Sequence, residues 1–372
     1  MPQQPHSTAY ARLTPVQARL VLLGWLLVTV FCVAVTLSPL AEGRISKPPR
    51  GAGDIALYRA EVDRVHAGQG YYEAASAELL ARGYTTRSVF NWRLPLPIWP
   101  IARMPDVLLG KALLGLLATA VILAAYEALS REGNLWRARA CSLLLTGPLA
   151  LCLLGDIFVM PVIWAGVLIA LSLCAYGLGR PNWGLMLALS AAFCRELALP
   201  YCLLCAALAW WHHRPRELAA WVAGLAAWGV YFGLHWLRVA QLTPPDALAH
   251  REGWIQFGGA TFVLCTVQMN LYLLLLPQWV AALYFSAAMF GFAGWHTPLG
   301  QRVGLAASLF VAAFGVVGQE FNQYWGTLYA PLLCFGLVRF PGSLWDLWKA
   351  AALTGGKPAP SGLPPASSRP PR

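Results

Sequence analysis

Asp54 stands in the run Gly51-Ala52-Gly53-Asp54-Ile55-Ala56-Leu57-Tyr58, shortly beyond an apolar stretch from Leu20 to Leu40. A carboxylate just outside a membrane can serve as a general base if an acceptor hydroxyl comes within hydrogen-bond reach in a partly dry site. Asp is equally a favoured N-cap, here for a helix starting at Ile55, and oxygens engaged in capping make a poorer base. Both readings stand at this level. Tyr58, His66, Gly68, Tyr71 and Tyr72 follow at short spacing, and Arg59, Arg87 and Arg93 add cations suited to a phosphate or to a solvated surface. Of these, Tyr58, Tyr71 and Arg93 are the substrate-binding candidates.

Three other polar groups interrupt apolar sequence, where a polar side chain is costly and marks either function or a defined partner. Asp156 follows Gly155 in a short turn. Gly with a polar residue is what a tight hairpin needs, but a second carboxylate opposite Asp54 could also orient substrate or, with phosphate oxygens, hold Mg²⁺ or Mn²⁺. Asp156 is the one candidate metal ligand, and no D-x-D accompanies it. Arg195 and Glu196 sit inside a long apolar run. The planar guanidinium suits a lipid phosphate; a structural ion pair is the alternative, with Glu196 as support, although successive residues on a helix face different ways. Finally, Gln319-Glu320-Phe321-Asn322-Gln323-Tyr324-Trp325-Gly326 interleaves polar and aromatic side chains. Glu320, Asn322 and Tyr324 are candidate sugar contacts; an interfacial aromatic belt accounts for the same pattern.

The elements that must carry these residues are read from composition. Of 372 residues, 58% are hydrophobic and 12% charged, against about 25% charged in soluble domains. Helices satisfy their own backbone in hydrocarbon, so the expected class is all-α and polytopic, with about ten membrane helices, some half-length. The net charge of +11 resides in short connections, among them Arg131, Arg137, Arg139, Arg180, Arg214 and Arg216. That is a topology signal, and nucleic acid is not an expected partner. All nine cysteines fall in apolar runs. Cys202 and Cys205 lack further metal-binding partners and read as small core residues. The first apolar run is long and has no clear cleavage site, so it reads as a signal anchor.

The expected layout is a cytoplasmic tail (1–19), one membrane domain (20–350) and a disordered tail rich in Pro and Ser (351–372). Residues 41–106 form a first outer loop with two helices, Ile55 to Ala67 and Glu73 to Arg82, lying on the membrane surface. Residues 238–258 form a second outer segment. Trp183 to Trp210 rises and returns as two short helices around Arg195, Pro277 interrupts the crossing Leu271 to Trp295, and His296 to Arg302 is cytoplasmic. No repeat of fixed period occurs.

The pattern Asp54-x-x-x-Tyr58, Gly68-x-x-Tyr71-Tyr72 and an aromatic/Pro segment before the second span resembles the first outer loop of GT-C membrane glycosyltransferases. Within them it is most similar to the bacterial polyprenol-phosphate-mannose-dependent mannosyltransferases. Gly155-Asp156-Ile157-Phe158 occupies the place of that group's Gly-Gln-x-Asn turn, and Arg195 to Pro200 the place of its Lys followed by Pro. The group's aromatic-Pro-Pro element is replaced by Phe90-Asn91-Trp92-Arg93-Leu94-Pro95. The resemblance covers roughly residues 20 to 210. It implies inverting transfer of a sugar from a polyprenyl-phosphate donor to a glycolipid or glycan acceptor on the outer face of the bacterial cytoplasmic membrane. Asp54 would be the general base and Arg195 would engage the donor phosphate. The alternatives are a transporter or flippase, against which the lack of paired broken helices counts, and a non-catalytic protein of envelope assembly.

Overall fold

The computed structural model describes residues 8–38, 53–249 and 253–352; residues 1–7, 39–52, His250, Arg251, Glu252 and the tail beyond 352 lie outside the described residues. Among the described residues the regular elements are helices, with one antiparallel bridge between Ile255 and Val317. In chain order they are α1 (Pro15–Thr36), α2 (Asp54–His66), α3 (Tyr71–Ala81), α4 (Ile98–Ala102), α5 (Leu108–Ser130), α6 (Leu135–Ala150), α7 (Pro161–Gly177) and α8 (Pro181–Cys194). There follow α9 (Leu199–Trp211), α10 (Pro215–Leu242), α11 (Gly259–Val267), α12 (Leu271–Leu274), α13 (Gln278–Ala293), α14 (Pro298–Val316), α15 (Ala330–Leu337) and α16 (Phe340–Ala352).

Proline opens α1, α7, α8, α10 and α14, at positions where the missing N–H would have had no helical partner. Thr14 and Gln17 close a reciprocal capping box on α1, and Thr297 and Asn134 cap α14 and α6. Four helices, α1, α5, α10 and α14, are long and apolar enough to cross a membrane, at 22, 23, 28 and 19 residues, against the ~20 that a hydrocarbon core requires. α7, α8, the stretch Glu196–Trp211 and α13 are apolar but shorter. α7 is buried on every side from Pro161 to Ala175, as a helix apolar all round must be. α1 and α10 instead expose Leu23, Leu27 and Val30, and Val230, Leu234 and Leu237, an outward apolar surface of the kind a membrane covers.

Several boundaries depart from the sequence expectation. The tail ahead of α1 is packed: Tyr10 stacks on Phe290, and Thr8 donates to Asp346 through its N–H at 2.8 Å and its hydroxyl at 2.9 Å. α10 continues to Leu242, because Arg238 and Gln241 bond each other along the helix and Val239 is buried. Arg302 belongs to the buried side of α14, with its guanidinium 3.7 Å from the Tyr176 ring centre and donating to Cys205 Sγ. Helices α2 and α3 form as expected, but their apolar faces (Leu57, Val62, Val65; Ala74, Leu79) are buried in the protein core with Ile98 and Ile101. Protein covers that face, where lipid was expected.

Residues Glu320–Leu328 form a 3-10 segment held by close backbone approach. A Cβ on Gly326 would run into the Thr266 carbonyl of α11, and one on Gly166 of α7 into the Thr327 carbonyl. Tyr329 completes the seam by bonding Thr266 Oγ1 at 2.8 Å. Small residues of this kind let backbones meet without side-chain spacers. Gly326→Val should therefore lower stability by ~1–3 kcal/mol or more, read as an earlier thermal transition of the detergent-solubilised protein, whereas the same change at Gly229, with open space around it, should leave the transition in place.

Candidate functional site

Gly53, with φ of 113°, takes the N-cap position of α2, so the helix begins at Asp54 itself. With Gly53 in that place Asp54 is not the N-cap, and its carboxylate bonds the side chains of distant residues. Its oxygens face inward instead. Oδ2 accepts from the Tyr324 hydroxyl at 2.6 Å, Oδ1 accepts from the Tyr84 hydroxyl at 3.2 Å, and Arg93 Nη2 lies 3.9 Å from Oδ2. A carboxylate has about four acceptor sites, so two remain for an incoming hydroxyl.

Each partner is aimed by local structure. Gly83, at φ of 68°, ends α3 and turns Tyr84 back, with the Tyr84 N–H on the Leu79 carbonyl. The segment before Arg93 is pinned by Trp92 Nε1 on the Thr86 carbonyl and by Asn91 Nδ2 on the Thr85 carbonyl. Arg93 then donates through Nε to the Tyr58 hydroxyl and through Nη1 to the Phe90 carbonyl, both at 2.5 Å, while the Tyr71 hydroxyl donates to the Arg93 carbonyl at 2.8 Å. Asn322 breaks the helical dihedrals of its segment; its Oδ1 accepts from the Gln319 N–H, and its Nδ2 donates to the Tyr324 hydroxyl at 3.2 Å.

These groups meet at a cavity of about 580 Å³ whose walls include Asp54, Tyr84, Asn91, Arg93, Trp254 and Asn322. Burial and then the charge of Asp54 push the Tyr324 phenol up to about 12, and the same two causes raise Tyr84. Both hydroxyls therefore keep their protons at neutral pH and act as donors to Asp54. Burial opposes the charge of Arg93, but Tyr58, Tyr324 and Asp54 outweigh it and hold the guanidinium pKa well above its ordinary value. The site is one carboxylate, two arginines (Arg93 and Arg82) and a set of neutral donors.

The expected residues divide. Asp54, Arg93, Asn322 and Tyr324 converge, while Tyr58 and Tyr71 stand behind Arg93 and hold it. Asp156 is half-exposed and lies 3.5 Å from Arg59 Nη1, and it is not among the described residues that line the cavity. Arg195 is buried, with Nη1 2.8 Å from Glu196 Oε1. The i, i+1 pairing is feasible because Arg195 is extended, at φ −153° and ψ 121°, in the break between α8 and the turn Glu196–Ala198. Its charge still reaches Tyr58 and Tyr324. Glu320 is exposed and lines a neighbouring hollow. For Mg²⁺ or Mn²⁺ the donor set does not fit: Asp54 is surrounded by donors, Asp156 by an arginine, and among the described residues no three His, Cys, Asp or Glu gather. The nine cysteines are buried and unpaired.

Tyr84, Asn91, Trp254, His235 and Glu61 escaped the sequence reading. His235 is buried on α10 and shares a 3.1 Å hydrogen bond between its Nδ1 and the Tyr72 hydroxyl; a histidine near the end of an apolar span was the signal. Glu61 lies two turns beyond Asp54 on α2, 2% exposed, with Oε2 lacking a hydrogen-bond partner. No family model, curated protein or solved structure matches the chain.

Burial raises the Glu61 carboxyl from 4.5 to about 8, with Arg93 opposing and Glu78 and Asp54 adding. The folded chain thus keeps a proton that the unfolded chain releases near 4.5, so stability is greatest below that value and falls as pH rises through 8. Glu61→Gln should remove this loss. Between about pH 5 and 8 the wild-type folding constant should decline toward tenfold per pH unit relative to the variant, measured as midpoints of unfolding across that range; parallel curves for the two proteins would show that Glu61 is ionised in the fold.

Proposed function

We propose that this chain is a membrane glycosyltransferase of GT-C type, moving a sugar from a polyprenyl-phosphate donor to a glycolipid or glycan acceptor. One observation carries the reading: the Asp54 carboxylate, held by two phenols and 3.9 Å from Arg93, forms the wall of a cavity. A base beside a fixed cation is what transfer from a phosphate to an alcohol needs. The proposed setting is the bacterial cytoplasmic membrane, with about ten crossings, half-helices included, and the site on the extracytoplasmic side.

In the proposed reaction an acceptor hydroxyl bonds to Asp54 and gives it the proton as its oxygen attacks the anomeric carbon. The bond from that carbon to the phosphate oxygen breaks, and polyprenyl phosphate leaves with the electron pair. Arg93 takes the phosphate role expected of Arg195, since it is Arg93 that lines the cavity. A cation already in place stabilises the charge that develops on the leaving oxygen without reorganising. Tyr324 and Tyr84 fix the carboxylate, and Arg195 with Glu196 supports the shell behind Tyr58 and Tyr324.

Asp54→Asn preserves shape and one of the two acceptor positions but cannot take a proton. In a strain lacking the chromosomal copy it should reduce product glycan or glycolipid by ~10²–10⁴ in rate, with membrane levels of the protein unchanged. Unaltered glycan at normal protein levels would remove Asp54 as the base.

A further inference from the structure

Beside the Asp54 cavity lies a second hollow of about 480 Å³, and Phe321 lines both. Its size falls in the range of small-molecule sites, about 300–1,000 Å³. The wall is built with some care for position. The N–H groups of Gln256 and Phe257 both donate to the Val316 carbonyl at 3.0 Å, and the Gly318 N–H donates to the Trp254 carbonyl at 3.0 Å. The side-chain amides of Gln256 and Gln319 both bond the Gly253 carbonyl, at 2.6 and 2.8 Å. This clamp holds Phe257 at φ of 49°, a left-handed conformation that is strained for a non-glycine residue and persists only where the surroundings impose it. The outcome is a phenyl ring 72% exposed at the hollow, facing the same space as the half-exposed Phe321.

The described linings of the two hollows differ in their charged side chains. Arg82 and Arg93 line the first. Among the described residues that line the second there is no cation; its polar groups are the amides of Gln256 and Gln319, the Thr261 hydroxyl and the Glu320 carboxyl. A phosphate belongs with the arginines. Amides and a hydroxyl bond alcohols in either direction, and flat rings give dispersion contact to the C–H face of a sugar.

We infer that the second hollow is a saccharide subsite for the acceptor, taking a neutral sugar unit beyond the one whose hydroxyl meets Asp54. This rests on the transferase reading, and it makes the acceptor at least a disaccharide. The step at Asp54 is unchanged; the subsite contributes binding and register.

The test uses the full chain in lipid nanodiscs with two probes, undecaprenyl phosphate and a panel of neutral hexose di- and trisaccharides, followed by saturation-transfer NMR and competition. A saccharide of the panel should bind, and Phe257→Gly and Thr261→Trp should each weaken it by ~10-fold or more. Both variants should bind undecaprenyl phosphate normally, whereas Arg93→Gln should weaken the lipid phosphate and leave the saccharide. Phe257→Gly removes the ring at a position glycine favours, so misfolding is not expected to obscure it. Saccharide binding untouched by both variants overturns the subsite, as does a protein that binds the lipid phosphate but none of the panel. A wild-type chain that binds neither probe overturns the transferase reading and the subsite with it.

Discussion

The hydrogen bond from Tyr324 to Asp54 joins residues 270 positions apart at 2.6 Å, and much of the site depends on it. Asp54 is only 18% exposed at its side chain, so an unpaired charge there would be expensive. Hydrogen bonds to a charged group are worth roughly 1.5–3 kcal/mol. Tyr324 can supply one because its segment is wedged between α7 and α11, where Gly166 and Gly326 permit backbone contact. Tyr84 supplies the other from the end of α3. The end of α3 and the late 3-10 segment thus each contribute a phenol to the carboxylate.

Asp54 is set among charged groups that meet other partners. Arg195 is balanced by Glu196, Asp156 by Arg59, and Glu78 by Arg64 and Arg82. Burial pushes the Glu61 carboxyl up to about 8. At the opposite end of the bundle Glu132 receives Trp295, Thr297 and Arg339. These ion pairs keep several of the buried charges from standing alone, as a low-dielectric interior demands. The Asp54 cluster opens onto space and has acceptor capacity left over.

Particular residues show how far sequence reading reached. The helices at 54–66 and 71–81, the break at Arg195 and the interruption at Pro277 follow from periodicity, capping and proline geometry, all of which act within a turn or two. The mismatches share a cause. Arg93 looked like one of three surface arginines and proved buried, because Tyr71 and Tyr58, on the helices α3 and α2 that precede it in the chain, meet it in space. Asp156 looked like a site carboxylate and is an ion-pair partner, because its turn falls beside Arg59. Asp54 reads from the sequence as cap or base, and Gly53 occupies the cap, which removes the capping reading alone.

Hydropathy, helix punctuation and the rarity of charge in apolar runs are local sums, so the chain alone determined its helical class, its membrane-length spans and the prominence of Asp54 and Arg195. Which side chains share a cavity is a different quantity. It depends on contacts such as Asp54 with Tyr84 and Tyr324, or Phe257 held by Val316, between positions whose separation follows no helical period. Only the packing of distant helices brings those positions within hydrogen-bond length, and so only the tertiary structure decided that Arg93 faces the carboxylate while Arg195 and Asp156 do not.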